Sequence, residues 1–490
     1  MSAIDRRAFV STTAATLGAL TTPRWLAGRR LAQAGTFVRR NVYCLGEYSR
    51  EILAYKHAIE VMRGRPATDP TSWQAQANIH GALAAPPGMI ADACQHGNLF
   101  FLSWHRMYLY YFERIVRQAS GDCGFALPYW GYSPTGARAL PAPFRSPADA
   151  TNVLYTEHRS PTVNAGNNLQ GSAVDAGSAL AQPAFNGFSG FLEGTPHGAV
   201  HISVGGWMSA FETAGLDPIF WLHHCNVDRL WEVWLASGGG RANPTGDNNW
   251  MTRAFDFYDE NGRRITMTGS QIIDTVTQLD YRYAGMSCLL IAVKFTPALI
   301  AQLTRLQPAL QPQAMATMDS IGSRAPRQAV LVAGQTPEPV RLGGRAREIR
   351  LPMTTEAQQT FSILRTTPTA GKDVVLAFDD IRLDSPAAVY YEVYVNLPPA
   401  TTDTVYTSPH YVGNLTFFGP SPQGHHGGEP LARTLSLLPT FLRLRDLQRW
   451  RDDTVRVTLV PRAATEGTTA TAVLGQRDKA AVGRVSLRIE

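Results

Sequence analysis

The chain has 490 residues, of which 44% are hydrophobic and 17% charged, and its formal net charge is +6. This length is enough to bury a large core in two or three domains, and the composition excludes an intrinsically disordered chain. No run of eighteen or more uncharged apolar residues occurs, so the sequence predicts no stable insertion into a membrane.

The first 34 residues predict an export signal. The pair Arg6-Arg7 precedes a mildly apolar stretch over residues 8–20, and a small-residue site follows at residues 32–34. This order favours the twin-arginine route and a periplasmic or secreted protein. Residues 1–34 contain five arginines and one aspartate, so the basic surplus of the chain lies mostly in this segment.

The rest of the chain contains no block of lysine or arginine and no aromatic nucleic-acid motif, so we expect no nucleic-acid partner. The cysteines are too few for a disulfide framework, and an odd number cannot all pair with one another. At least one of them is therefore free or modified. They are Cys44, Cys94, Cys123, Cys225 and Cys288.

Helical patterns dominate residues 41–283. The apolar spacing predicts one helix from Ser72 to His80 and another from Trp104 to Arg117. Residues three and four apart share a helix face, so His80 and His105 both face inward with the apolar residues.

Two further helices are predicted to carry histidines. One should hold His197 and His201 one turn apart. The next should begin at Asp217-Pro218, because aspartate is a favoured N-cap and proline fits the first helical position. His224 then lies two turns into that helix.

Glycine- and asparagine-rich sequence predicts long surface loops over residues 134–191 and 237–249. After residue 349, short alternating runs such as residues 374–378 and 389–395 are typical of strands. The predicted fold is a mainly α catalytic domain, built as a four-helix bundle, followed by an all-β sandwich-like domain. The predicted boundaries are 1–34 for the signal, 35–290 for the catalytic domain, 291–348 for a linker and 349–490 for the β domain.

Six histidines form two groups whose spacings suit a pair of metal ions. Inward-facing helices could deliver all six side chains to one bundle interior, where the metal sites of helical folds are built. Imidazole ligands without thiolate or carboxylate fit copper better than iron or magnesium. The groups are His80, His96 and His105, and His197, His201 and His224.

Two segments carry a family resemblance. Residues 96–106, with Glu113 beyond them, resemble the first copper motif of tyrosinases and polyphenol oxidases, and residues 217–231 resemble the second. The resemblance covers residues 39–283 and continues more weakly through the C-terminal half. It implies two copper ions, CuA on the first histidine group and CuB on the second, with dioxygen as co-substrate. Of the pair His223-His224, it assigns the copper to His224.

The resemblance implies oxidation of o-diphenols to o-quinones, and ortho-hydroxylation of monophenols, on a small phenolic or catecholic substrate. A copper chaperone would be a further partner. A haemocyanin-like oxygen-binding protein or an o-aminophenol oxidase would use the same ligands. A dinuclear zinc hydrolase is disfavoured because such sites include carboxylates or an open water position, and no His-Glu-x-x-His motif occurs. The oligomeric state is not predicted.

Cys94 stands two residues before His96. At this spacing, fungal members of the family and molluscan oxygen carriers link the cysteine sulfur to the histidine ring. The plant-type position for that cysteine is Ala84 here. We therefore predict a Cys94–His96 thioether, which would fix the ring orientation. The alternative is a buried free thiol.

The resemblance assigns roles to three more residues. Glu193 matches a glutamate that holds a water able to accept a phenol proton, although it could instead serve only the helix dipole. Gly198 stands where strong monophenol hydroxylases often have asparagine, which argues against strong hydroxylation. Phe211 matches the aromatic over the second copper of plant-type enzymes and would select small, flat rings. Its alternative role is core packing.

Several other side chains have predicted structural roles. Arg106, Glu113, Asp228 and Arg229 are expected to be paired charges around the bundle, because buried charges need partners. The segment Tyr281–Tyr283 should pack on Arg39 or Arg40. His57 should be an exposed helix residue. The other histidines expected to be solvated are His158, His410, His425 and His426.

Loop cations and the C-terminal domain bear on substrate and regulation. Three loop cations would favour a phenolic acid as substrate if they face the site. The alternative is that they are solvated. They are Arg138, Arg145 and Arg241. The β domain resembles the shielding domain of latent polyphenol oxidases. The resemblance to a shielding domain implies low activity of the full-length protein until the chain is cut near residue 345 or mild detergent loosens the β domain.

Overall fold

The computed structural model describes residues 37–286, 331–366, 374–383, 389–398, 405–419, 431–450, 454–474 and 480–489. The predicted export signal lies outside the described residues, as do Cys288, His425, His426 and most of the predicted linker.

Helices build the first half of the protein, as predicted. None of the described helices combines the length and apolarity needed to cross a membrane. The helices of this half are α1 (Arg50–Arg63), α2 (Trp73–His80), α3 (Phe101–Ser120), α4 (Pro161–Asn164), α5 (Gly171–Val174), α6 (Gly177–Leu180), α7 (Phe185–Leu192), α8 (Ala199–Val204), α9 (Phe211–Ala214), α10 (Pro218–Ala236) and α11 (Asn248–Thr252).

The predicted starts of α2 and α10 are confirmed. The Ser72 side chain accepts a hydrogen bond from the backbone N–H of Ala75, and the Asp217 side chain accepts one from Ile219. Such caps satisfy N–H groups that have no partner within the helix. Helix α3 ends before Gly121, whose φ of +69° suits glycine.

The helix predicted to carry His197 and His201 follows a kink in the chain. His201 lies in α8, and His197 lies in the segment Glu193–Gly198, which leads directly into α8. Thr195 in that turn is extended, with φ −146° and ψ 124°. A residue before proline is disfavoured in the α region, and Pro196 follows. The break lies before His197, and the backbone at Gly198 and Ala199 is helical, so His197 and His201 lie one turn apart as predicted.

Aromatic rings fill the core between α3 and α10. Phe112 stacks on Trp221 with ring centroids 3.4 Å apart, and both side chains are fully buried. Burying a side chain of this size stabilises the fold by about 1.5–3 kcal/mol. This packing fixes the two helices that carry His105 and His224.

Short strands join the two ends of the helical half. They are β1 (Phe37–Arg39), β2 (Ala254–Tyr258), β3 (Arg264–Thr268) and β4 (Tyr281–Tyr283). β1 pairs in parallel with β4, and β2 pairs antiparallel with β3.

Arg39 on β1 is the arginine on which the tyrosine motif packs. Its Cζ lies 3.6 Å from the ring centroid of Tyr281, and its Nη1 donates to the Tyr283 hydroxyl at 2.9 Å. The same guanidinium binds Glu113 at 2.9 Å and Asp228 at 3.4 Å. These charged side chains are buried and paired with one another.

The segment predicted as long surface loops, residues 134–191, contains α4 to α7 and many buried side chains. Ser172 is an example, because its hydroxyl lies 2.8 Å from the hydroxyl of Tyr390 in the C-terminal half. The prediction of surface loops is wrong for this part, since the second half of the protein covers it.

The C-terminal half is built mainly of strands, which confirms the predicted fold class. The strands are β5 (Leu331–Gln335), β6 (Val340–Leu342), β7 (Arg347–Pro352), β8 (Val374–Leu383), β9 (Val389–Val395), β10 (Tyr411–Leu415), β11 (Leu431–Ser436), β12 (Thr454–Ala463) and β13 (Ala480–Ile489). The helices of this half are α12 (Thr355–Thr366), α13 (Leu438–Asp446) and α14 (Ala470–Leu474).

Two antiparallel sheets face each other across an apolar core in this half. One has the strand order β10-β9-β12-β7, and the other has the order β11-β8-β13-β5, with β6 also paired to β13. β5 and β6 lie within the predicted linker. The sheet therefore begins by Leu331, and a cut near residue 345 would leave both strands bonded to β13.

Candidate metal centre

The six predicted histidine rings converge between α2, α3, α8 and α10. Ring centroids within the first group are 5.0–5.7 Å apart, and those within the second are 4.7–5.4 Å apart. The groups adjoin, because His105 stacks on His224 with centroids 4.4 Å apart. The structure thus brings together every histidine that the sequence singled out as a metal ligand.

Backbone carbonyls fix the orientation of four of these rings. A ring that donates its Nδ1–H to a carbonyl is neutral and keeps a free lone pair on Nε2, the form that binds metal. The Nδ1 to carbonyl oxygen distances are 2.9 Å for His80 to Phe211, 2.7 Å for His105 to Phe101, 3.0 Å for His197 to Glu193 and 2.7 Å for His201 to Met208.

The other ring nitrogens fit a bound cation. The buried Nε2 atoms of His80, His105 and His197 have no hydrogen-bond partner among the described residues. His201 Nε2 lies 3.2 Å from His224 Nε2, although its own proton is on Nδ1. Burying unpaired acceptors is unfavourable, and a metal ion would satisfy them.

Burial keeps the imidazoles in this neutral state. It lowers the pKa of His80 to about 4. Burial and the neighbouring rings hold the pKa of His105 and His224 well below the usual range. Imidazole nitrogens suit copper, zinc, iron and nickel, and of these metals copper(II) is bound most tightly by a given site.

His223 also faces the second group. Its Nδ1 lies 3.3 Å from the Tyr132 hydroxyl, and its ring centroid is 4.9 Å from that of His201. Ligand atoms of His197, His201, His223 and His224 all lie within 4.8 Å of one another. The assignment of copper to His224 rather than His223 therefore stays a prediction.

His96 lies in the loop before α3. Cys94, a free thiol in the structure, His80 and His96 have ligand atoms within 4.8 Å of one another. Burial raises the pKa of the Cys94 thiol, so the sulfur is protonated at neutral pH. The predicted crosslink partners are thus neighbours.

Glu193 connects the two histidine groups. Its Oε1 accepts a 2.6 Å hydrogen bond from the backbone N–H of Gly97, whose φ is +65°. Burial raises the pKa of Glu193 to about 7, although the Gly97 N–H and the guanidinium of Arg433 favour the charged form. Its carboxyl group lines the cavity next to the histidines.

Phe211 lies against the first histidine group. Its ring stacks on His96 with centroids 4.3 Å apart, and its backbone carbonyl accepts from His80. Among the ring contacts of the described residues, its histidine neighbours are His80 and His96. The resemblance had implied a position over the second group.

A different aromatic covers the second group. Phe418, just after β10, stacks on His201 with centroids 3.8 Å apart and planes 14° apart. It also lies 5.3 Å from His197 and 4.9 Å from Phe211. No local pattern in the sequence predicts this role for Phe418. The alternation of β10 was a usable signal, but it does not show which distant residues the outward side chains meet.

A cavity of about 760 Å³ lies where the two halves meet. Arg433 on β11 donates to the carbonyl of Phe418 at its edge. The residues that line it next to the metal centre are His96, Glu193, His197, Gly198, Phe211, Thr416, Phe418 and Arg433.

The remaining predicted residues lie outside the metal centre. His57 is exposed, as predicted, and pairs with Glu60 at 3.7 Å. His410 is buried with its Nδ1 2.9 Å from the Val395 carbonyl, so the prediction of a solvated ring is wrong. That bond joins two neighbouring strand ends.

The three loop arginines do not line the cavity, and their hydrogen bonds and ion pairs lie elsewhere. Arg138 pairs with Glu466 of the C-terminal half, Arg145 donates to the Leu140 carbonyl, and Arg241 donates to the Gly238 carbonyl.

Family models match three parts of the chain. The common central domain of tyrosinase matches residues 70–168 and 143–237, and the polyphenol oxidase middle domain matches residues 245–292. A domain of unknown function matches residues 329–490.

Whole-chain relatives agree with these models. The tyrosinase HcTyr1 of Hahella sp. is 30% identical over 92% of this chain and 99% of its own length. A chloroplastic polyphenol oxidase of Malus domestica is 28% identical over 83% of this chain and 72% of its own. The structure of latent apple tyrosinase has a similar fold, with a TM-score of 0.62 at 22% identity, covering 93% of this chain and 97% of that one.

Proposed function

This chain belongs to the tyrosinase and polyphenol oxidase family of dicopper enzymes, and on that premise we propose that it oxidises o-diphenols to o-quinones and hydroxylates monophenols beside the hydroxyl. The convergence of six neutral imidazoles, five buried and that of His96 half-buried, with unpaired nitrogens is the observation that carries the proposal. The substrate would be a small phenol or catechol, and a copper chaperone would load the site.

His80, His96 and His105 would hold one copper, and His197, His201 and His224 the other. Two bound copper ions supply the redox chemistry that reduces dioxygen and oxidises the phenol. The protein supplies rigid ligands. Four rings are already turned by carbonyls so that the free nitrogen faces the centre, which lowers the cost of ordering the site.

Glu193 is the proposed proton acceptor. Its Oε1 is engaged by Gly97, and the carboxyl borders the cavity that a phenol would enter. The phenol proton would pass through a water to this carboxylate. A base with a pKa near neutrality suits such a transfer, and burial raises the pKa of Glu193 to about 7.

We also propose that the protein is made in a latent form. Phe418 lies over His201 at ring-contact distance, in the space where a flat substrate ring would approach the second copper. Phe211 contacts Phe418 edge to face, with centroids 4.9 Å apart, and would border an entering ring once Phe418 has moved. Oxidation would need the strand end that carries Phe418 to move away.

The Cys94–His96 thioether is a further part of this proposal. Joining Sγ of Cys94 to a ring carbon of His96 removes one hydrogen from each residue, and dioxygen takes up the two electrons. Intact-mass measurement of copper-loaded protein should show the loss of two hydrogens. An unchanged mass would exclude the link.

For localisation, we propose export of the folded, metal-loaded protein by the twin-arginine route. Replacing Arg6 and Arg7 with lysine should leave the protein in the cytoplasm. Export of that variant at the unchanged rate would count against this route.

The activity is tested with copper-loaded, full-length protein and Phe418→Ala in parallel. Both should bind two copper ions per chain, and the variant should convert catechol to a coloured quinone. His105→Ala should lose copper and activity, whereas His57→Ala, at an exposed ring outside the centre, should lose neither. Two bound coppers with no quinone from any mono- or diphenol would favour an oxygen-binding protein.

A further inference from the structure

The strand end that covers the metal centre, residues 414–418, alternates between side chains that face the apolar core of the β half and side chains that face the helical half. Leu415 and Phe417 belong to the apolar core of the β half. Asn414, Thr416 and Phe418 point the other way, as expected from the two-residue period of a strand. Asn414 donates to the Ser172 carbonyl at 2.9 Å, and Phe418 packs in the core of the helical half.

Thr416 meets the helical half at Gly198, the residue after His197. A Cβ atom built on Gly198 would lie 2.8 Å from Thr416 Oγ1 and 3.2 Å from the Glu193 carbonyl oxygen. The first distance is shorter than real contacts of a Cβ atom. The side chain of Thr416 therefore occupies the space that any side chain at 198 would need.

The backbone does not explain the glycine. Gly198 has φ −63° and ψ −34°, ordinary helical values that every residue adopts, and alanine is the better helix former. The lack of a side chain at this position is thus explained by space alone.

The strand end has little freedom to move aside. Gly419 accepts a 3.1 Å hydrogen bond from the backbone N–H of Phe211, and the carbonyl of Phe211 holds His80. Thr416 is buried with 3% of its surface exposed. A shift that relieved a contact at 198 would strain this bond and the Phe418 ring two residues further on.

We propose that Gly198 is the docking position for the covering strand, where the missing side chain admits Thr416 and so seats Phe418 over His201. The inference rests on the proposed latency and adds how latency is specified. The family resemblance relates position 198 to monophenol hydroxylation, and in this protein the same position also contacts the covering strand through Thr416. A larger residue there would weaken the cover in the full-length protein.

Hydrogen exchange of the Phe211 amide measures this docking directly, because its N–H is held by Gly419. In copper-loaded, full-length protein, Gly198→Ala should exchange about tenfold faster at this amide, since overpacking one methyl group disfavours the docked state. Thr416→Ala should change the rate little. The double variant should return the rate towards that of the parent protein, because removing Oγ1 makes room for the new methyl group.

Gly198→Asn with Thr416→Gly provides a second, larger pair. Asparagine alone should release the strand further, and glycine at 416 should partly restore protection. Copper content of two per chain shows that each variant retains the site. Equal Phe211 exchange in Gly198→Ala, Gly198→Asn and the parent would overturn the inference. That result is distinct from a failure of latency itself, which would leave Phe418→Ala no more active than the parent.

Discussion

The two halves of the protein meet at the same pocket but hold their side chains there by different means. In the helical half, each of four histidine rings is fixed by its helix or turn and by a carbonyl on Nδ1, and buried ion pairs tie the surrounding elements together. In the β half, one strand end presents Phe418, and the hydrogen bonds of Asn414 to Ser172 and of Gly419 to Phe211 hold that strand end against the helical half.

This difference separates what must be rigid from what must be removable. A metal site needs its ligands preorganised, because misplacement weakens binding and catalysis. A strand that blocks the site must be able to move away from it at a small cost in free energy. Variants in the helical half should therefore change stability and chemistry strongly, whereas variants in the β contacts should change access.

The largest effect on stability is expected for Arg39→Ala. This removes one of the two guanidinium partners of Glu113, which keeps Arg117, and a contact of Asp228, which keeps Arg106. Losing a hydrogen bond to a buried charge costs about 1.5–3 kcal/mol of the free energy of unfolding. Urea unfolding followed by tryptophan fluorescence measures the loss. The matched control is Arg382→Ala in the β half, whose pair with Asp380 is exposed and should contribute about 0–1 kcal/mol. Equal losses in the two variants would contradict the contrast.

Acid should reproduce part of that loss. Burial alone would raise the pKa of Asp228, but Arg106, Arg39 and two tyrosine hydroxyls lower it overall. The stabilisation is complete above the pKa of about 3.9 that the unfolded chain has, and it is lost as the pH falls below that value. The part of the free energy of unfolding that Asp228 contributes should therefore stay level from neutral pH down to about 5 and then decrease. The buried neutral histidines add an earlier loss, because the unfolded chain takes up protons on them below about pH 6.5. Asp228→Asn should flatten the decrease, and an unaltered slope would exclude Asp228 as the cause.

Glu193 tests whether the proton chemistry lies in the helical half. Glu193→Gln keeps an oxygen for the Gly97 N–H but cannot take up a proton, so monophenol hydroxylation should fall by about 100-fold with two coppers still bound. Glu193→Ala should additionally loosen the His96 loop and lower the copper content. Glu157→Gln, at an exposed carboxylate, is the control. Hydroxylation by the glutamine variant at the parent rate would rule out this role.

Phe418→Ala should release the cover with the centre intact. The ring buries an apolar surface worth about 2 kcal/mol, which corresponds to about a thirtyfold shift in the docking equilibrium. Catechol oxidation by the full-length protein should rise by up to that factor. Phe418→Leu, which keeps an apolar plug, should rise less. If both variants matched the parent protein in activity, Phe418 would not limit access.

The sequence predicts the helical half better than the cover for a physical reason. His80, His105 and the cap Asp217-Pro218 sit in local patterns with a helical period, so their faces follow from spacing alone. The break at Thr195 has a local signal in Pro196, and because it lies before His197 the helical spacing of His197 and His201 is kept.

Phe418 depends on a contact with His201, more than two hundred residues away in the chain. Strand alternation indicates that Phe417 and Phe418 face opposite sides, yet only the docked halves show which side meets the metal centre. The family resemblance gives Gly198 a chemical role, but its packing against Thr416 has no local signature in the sequence. The boundary at Leu331 was missed because β5 and β6 are short and separated by turn residues.

The smallest effect is expected at the rim between the halves. Arg138 and Glu466 pair at 2.9 Å with 14% and 43% of their side chains exposed, and pairs in such surroundings contribute about 0.2–1 kcal/mol. Glu466→Gln should therefore speed exchange of the Phe211 amide by no more than about fivefold. Because salt screens exposed charges but not buried ones, 1 M salt should produce the same change in the parent protein and none in the variant. A salt effect of equal size in both would place the electrostatic contribution to docking at other residues.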